Sequence, residues 1–166
     1  FADCFFPAMR LGATVVPLNV RLTADELRSQ IERTSPDLLV CERDTESAAT
    51  EAFDGPVASV DDPTTDDVDA LGEMAEPPVE QATLAPETEQ LILFTSGTTG
   101  RPKGVRLTVG NLVASATASA FRLGVSPGDR WCCCLPTYHM GGLAPVVRSA
   151  LYGSTVVIQR EFDPDT

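Results

Sequence analysis

A four-residue apolar run, Leu91-Ile92-Leu93-Phe94, leads straight into Thr95-Ser96-Gly97-Thr98-Thr99-Gly100-Arg101-Pro102-Lys103-Gly104. A short, unbroken apolar run suits a buried strand. Gly104-Val105-Arg106-Leu107 reads as a strand returning from the loop. Strands of α/β sheets present their ligand loops at the C-terminal end, which is where this loop is delivered. Its composition suits phosphate. Glycines let backbone N–H groups approach an anion, the hydroxyls of Thr95, Ser96, Thr98 and Thr99 add donors, and Lys103 supplies a compact charge. Lys103 is the only lysine of the chain, whose other eleven basic residues are arginine. The alternative is an ordinary Gly/Thr-rich hairpin turn with a solvated lysine. The coincidence of glycine, hydroxyl, proline and lysine after a strand favours the binding loop. The competing P-loop pattern does not match, because Pro102 precedes the lysine and Gly104 follows it where Ser or Thr is required.

Two further blocks accompany the loop. Leu135-Pro136-Thr137-Tyr138-His139-Met140-Gly141-Gly142-Leu143 holds the single histidine, between an aromatic and a glycine pair. Upstream lie Leu11-Gly12-Ala13-Thr14-Val15-Val16-Pro17-Leu18-Asn19 and Leu22-Thr23-Ala24-Asp25-Glu26-Leu27. Together the three blocks resemble, in order and over nearly the whole chain, the acyl-adenylate-forming (AMP-binding) superfamily of acyl-CoA synthetases, peptide-synthetase adenylation domains and luciferases.

The resemblance implies an α/β fold: part of a large N-terminal domain, with mixed sheets and helices on their faces. It also implies a fragment, since family members continue into motifs for adenine, ribose and magnesium and into a C-terminal lid. The segment alone is expected to be inactive. The parent would be an acid–thiol ligase using ATP, Mg2+ and coenzyme A. A carboxylate attacks the α-phosphorus, pyrophosphate leaves, and the acyl group passes to coenzyme A. By this resemblance Thr95, Ser96, Gly97, Thr98, Thr99, Gly100 and Lys103 hold the nucleotide, and Lys103 and His139 are catalytic. His139, Gly141 and Arg148 meet the acid, and no metal ligand falls in the chain. His139 orients and stabilises charge. A carboxylate substrate is already ionised near neutral pH and requires no general base.

Arg148 bears on the substrate. An arginine facing the acid pocket would recognise a second carboxylate in a bidentate manner; a helix-surface arginine is the alternative. Nine residues of helix are two and a half turns, so His139 and Arg148 diverge unless Gly141-Gly142 leave the start non-helical. The segment around His139, Arg148 and Tyr152-Gly153-Ser154-Thr155-Val156-Val157 is most similar to the o-succinylbenzoate–CoA ligase subgroup of menaquinone synthesis, which carries a basic residue at this offset. Thr108-Val109-Gly110-Asn111 shares Gly-Asn with that subgroup but has valine where an aromatic is usual. A general fatty or aryl acyl-CoA synthetase is the alternative within the family, and a noncatalytic acidic binding module is the alternative outside it.

The module reading draws on charge. Net charge is −12, from 24 acidic and 12 basic residues. Residues 42–89 carry fifteen acids and one arginine, while the remainder is slightly basic. Such a surface repels nucleic acid and anionic membranes. Acid enrichment with lysine replaced by arginine resembles proteins of salt-loving organisms. The five cysteines match no zinc or redox spacing, and the consecutive Cys132, Cys133 and Cys134 alternate faces on a strand. Buried thiols in a reducing cytoplasm are expected. No apolar stretch has the length of a membrane span.

The pattern along the chain alternates helix and strand. Helices are expected at residues 2–11, 23–33, 44–53, 108–123 and 139–152. Strands are expected at residues 14–18, 37–42, 57–60, 91–94, 104–107, 130–135 and 153–159. Thr23 and Glu26 form a capping box. The chain divides into a partial α/β subdomain (1–60), an acidic loop or linker (61–86, with a short helix near residues 68–74) and the signature-bearing segment (87–166). The expected partners are a small carboxylic acid, ATP, coenzyme A and the rest of the same enzyme.

Overall fold

A computed structural model describes residues 1–73, 81–95 and 101–159 of the chain. It divides into two compact units, residues 18–79 and residues 1–17 with 80–166.

The first of these is a small α/β layer. Helix α2 (Ala24–Thr34) opens on Thr23, whose hydroxyl accepts the Glu26 amide while the Glu26 carboxylate accepts the Thr23 amide. It ends at Ser35 in the left-handed region. Strands β1 (Leu39–Cys41), β2 (Val57–Ser59) and β3 (Asp69–Ala70) form a parallel sheet in that order, with helix α3 (Glu46–Ala52) between β1 and β2. Parallel strands need such crossovers. Cys41, Ala49, Val57 and Val68 pack in one cluster and Leu27, Ile31 and Ala52 in another, with Phe53 touching both. Segment 61–86 is therefore more than a linker, since β3 adds to the sheet and Leu71–Glu73 forms a 3-10 turn where a short helix was expected. Glu46 is 2% exposed and anchors the preceding turn, accepting from the Thr64 amide and from the hydroxyls of Thr64 and Thr65.

The second unit carries the motifs. Strands β4 (Glu89–Thr95) and β5 (Lys103–Thr108) form an antiparallel hairpin. Helix α4 (Val109–Leu123) follows at once, capped by Thr108 and Asn111 in a reciprocal box. Strands β6 (Arg130–Cys133) and β7 (Thr155–Ile158) pair in parallel, connected by helix α5 (Met140–Tyr152). Phe5 of helix α1 (Ala2–Arg10), Leu91 and Leu93 of β4, Leu112 of α4, and Leu143 and Val147 of α5 make the core. Full burial of each large side chain contributes about 1.5–3 kcal/mol.

The strand expected at residues 14–18 is reduced to one bridge, Val15 with Leu91. Among the described residues of this stretch, Val15 pairs by its backbone, its N–H donating to Gln90 O and its carbonyl accepting from Ile92 N–H, and the Thr14 hydroxyl donates to Glu89 O at 3.3 Å. Before it, the Ala13 amide folds back to Ala8 O. After it, Pro17 has no amide to give.

Candidate functional site

The β4–β5 register brings Thr95 directly opposite Lys103, and the Thr95 hydroxyl donates to the Lys103 carbonyl at 3.4 Å. The two ends of the glycine-hydroxyl loop are thus joined at its base. Lys103 is the first residue of β5 rather than a loop residue, and its side chain is exposed. Gly104 faces Phe94, and a Cβ there would lie 3.1 Å from Ile92 Cγ2 and 3.6 Å from the Phe94 ring. Ser96, Gly97, Thr98, Thr99 and Gly100 lie outside the described residues.

His139 is the N-cap of α5, in extended geometry (φ −116°, ψ 148°). Its amide donates to Pro136 O, and its carbonyl accepts from the amides of Gly142 and Leu143. The exposed ring meets Tyr138 edge-on, centroids 4.7 Å apart. No side chain caps the helix, so its first amides form an end that favours anions. Gly141 and Gly142 fit this end to β6. Gly142 lies under the Leu135–Pro136 backbone, and its carbonyl accepts the Cys133 thiol at 3.1 Å. Burial pushes that thiol above the ordinary cysteine range, which keeps it a donor. On β6 Cys132 is exposed and Cys133 buried, as alternation requires, and Cys134, just past the strand, is half-buried. Among the described residues no group of three or more His, Cys, Asp or Glu could hold a metal ion.

Both glycines are helical, so they do not offset the divergence of His139 and Arg148. Arg148 lines a cavity of about 160 Å³ between α4 and α5; His139 does not. The cavity is mainly apolar, with Leu107, Leu112, Ala116, Met140 and Val147 in its wall, and Asn111, Ser115 and Arg148 as its polar members. Arg148 is half-buried. Its Nε–H donates to Ala144 O at 3.1 Å and its Nη1–H to Ser119 Oγ at 2.7 Å. The guanidinium lies over the Trp131 ring, 5.6 Å from the centroid. No carboxylate among the described residues reaches it, whereas Arg106 pairs with Glu89. The Tyr152 hydroxyl donates to Ala116 O and ties α5 to α4.

Sequence reasoning missed Asn111, Ser115, Ser119 and Trp131. The signal was present: 111, 115 and 119 repeat every four residues on an alanine-rich helix, a polar stripe on one face.

Comparison with known proteins gives consistent matches. A family model described as AMP-binding enzyme matches residues 3–166. A 2-succinylbenzoate–CoA ligase from Bacillus cereus is 36% identical over 159 residues, 93% of this chain and 30% of that protein. Two solved structures of O-succinylbenzoate coenzyme A synthetase (MenE) from Bacillus subtilis, one with AMP and one with ATP and magnesium ion, each superpose with a TM-score of 0.85 at 30% identity. They cover 98% and 99% of this chain, and 40% and 42% of their own. The chain thus spans less than a third of the length of the curated relatives it matches.

Proposed function

Because the chain belongs to the AMP-binding enzyme family, we propose that it is the nucleotide-loop segment of an ATP-dependent carboxylate–CoA ligase whose acid is 2-succinylbenzoate. The observation that carries the substrate is Arg148: a half-buried cation whose partners among the described residues are all neutral, in the wall of a mainly apolar cavity. An apolar body with one added anion is what such a cavity complements. The named relatives support the same acid.

In this reading, the acid's reacting carboxylate lies at the uncapped start of α5. There the helix end and His139 offset the repulsion between two anions as the α-phosphorus is attacked. Lys103, opposite Thr95 at the base of the loop, takes up charge moving onto pyrophosphate. The acyl-adenylate then passes its acyl group to the thiol of coenzyme A, and AMP leaves. Magnesium, where bound, would offset negative charge on the nucleotide, and among the described residues no group of three or more His, Cys, Asp or Glu could hold it. The acidic surface and arginine bias fit a cytoplasmic enzyme adapted to high salt.

The test compares 2-succinylbenzoate with 4-oxo-4-phenylbutanoate, which lacks the ring carboxylate, in the whole enzyme and its Arg148→Ala variant. A charge-assisted pair contributes roughly 1.5–3 kcal/mol, so kcat/KM for the diacid should fall about ten- to a hundredfold while the monoacid loses little. Arg148→Lys should recover part of the loss. An equal loss for both acids would favour a general acyl-CoA synthetase.

A further inference from the structure

We propose that Ser119 and Trp131 are positioning residues that set acid selectivity by fixing the guanidinium of Arg148. This rests on the reading of Arg148 given above. Arginine side chains are long and rotamer-rich, and an unrestrained one offers charge without direction. Here three elements converge on it. The Ala144 carbonyl of α5 takes Nε–H, Ser119 of α4 takes one Nη1–H at 2.7 Å, and the ring of Trp131 on β6 covers one face at 5.6 Å.

Ser119 and Trp131 share two properties. Both are neutral, as is the Ala144 carbonyl, so the guanidinium keeps its charge in a chain with twice as many acids as bases. Of its five N–H donors, those beyond the two bonds to Ala144 and Ser119 have no partner among the described residues. Ser119 and Trp131 also stay out of the cavity wall, which Arg148 lines. They touch the recognising group and leave the ligand to it. A hydroxyl and an aromatic face are suited to this, since a carboxylate at either place would neutralise the cation it holds.

Ser119→Ala and Trp131→Leu in the whole enzyme test the proposal, with Ser119→Thr as the conservative rescue. KM for 2-succinylbenzoate should rise about tenfold in Ser119→Ala and severalfold in Trp131→Leu. kcat should stay within about twofold, and 4-oxo-4-phenylbutanoate should be unaffected. Ser119→Thr, which retains the hydroxyl, should return KM to within about threefold of the parent. A merely structural role would lower Tm and weaken both acids together, and that outcome would overturn the proposal. Arg148→Ala serves as reference. If it alone discriminates the two acids, the positioning role fails and the diacid reading stands. If it too spares the diacid, that reading fails and the positioning role falls with it.

Discussion

Gly142 lies so close beneath Leu135 that a Cβ on it would sit 2.3 Å from the Leu135 carbonyl oxygen. The obstacle is backbone, so it cannot rotate away. Gly142→Ala should force α5 from β6 and move His139 with it. Alanine in a helix normally gains about 1 kcal/mol over glycine; here overpacking should cost about 1–3 kcal/mol, with loss of adenylation. Gly141→Ala should be far milder, because its neighbour is Leu135 Cδ1 at 3.1 Å, the end of a flexible side chain. Thermal melts and pyrophosphate exchange on the two variants check the contrast. Equal effects would mean that the close approach is unimportant.

Lys103→Ala should slow adenylate formation in the whole enzyme. Losing one charge-stabilising contact costs about 2–4 kcal/mol of transition-state stabilisation, tens to a thousandfold in rate. Because Lys103 is exposed at the start of β5, Tm should hardly change. Unchanged pyrophosphate exchange would return the loop to an ordinary hairpin turn.

Glu46 predicts an acid-sensitive unit. The Thr64 hydroxyl first, then the Thr64 amide and the Thr65 hydroxyl, hold its carboxyl below the usual carboxylate range, while burial opposes them. A folded-state pKa below the unfolded value of about 4.3 makes this stabilisation complete above that value and lost as pH falls through the folded one. Residues 18–79 should therefore become less stable on acidification. Glu46→Gln should lower stability at neutral pH and flatten the dependence below about pH 4. Chemical denaturation followed between pH 3 and 7 decides; a variant with the parent's acid slope would assign the slope to other groups.

The net charge of −12 leads to a salt prediction. Screening shortens from about 10 Å at 0.1 M to about 3 Å at 1 M salt, so repulsion within residues 42–89 should weaken. Tm should rise by several degrees between 0.1 and 2 M KCl. A flat response would argue that the acids are already spaced beyond mutual repulsion.

Local chemistry was the legible part of the sequence. Thr23 and Glu26 identify the start of α2 because a capping box is a four-residue event. The hairpin around the loop was readable from Leu91-Ile92-Leu93-Phe94 and its return. Non-local geometry was less accessible. Segment 61–86 looks like a linker by composition, yet Asp69 and Ala70 pair with β2, which only the folded sheet supplies. Residues 14–18 look like a strand, but one residue pairs because a helix reversal precedes it and Pro17 follows. Gly141-Gly142 suggested a break in α5; the glycines instead accommodate the Leu135–Pro136 segment. Arg148 could be singled out by its offset from His139 and Ser119 by its stripe with Asn111 and Ser115, whereas Trp131 is 17 residues from Arg148 and no spacing rule reaches it.

The parallel pairing of β6 and β7 has a consequence for how the site can vary. Parallel neighbours oblige the chain to travel back along the sheet before it re-enters, and α5 makes that return. A helix performing the return begins beyond the C-terminal end of the strand it leaves. The position of its electropositive end is therefore dictated by connectivity, not by any side chain. Sequence drift in α5 can retune what the end binds, but cannot relocate it without undoing the crossover.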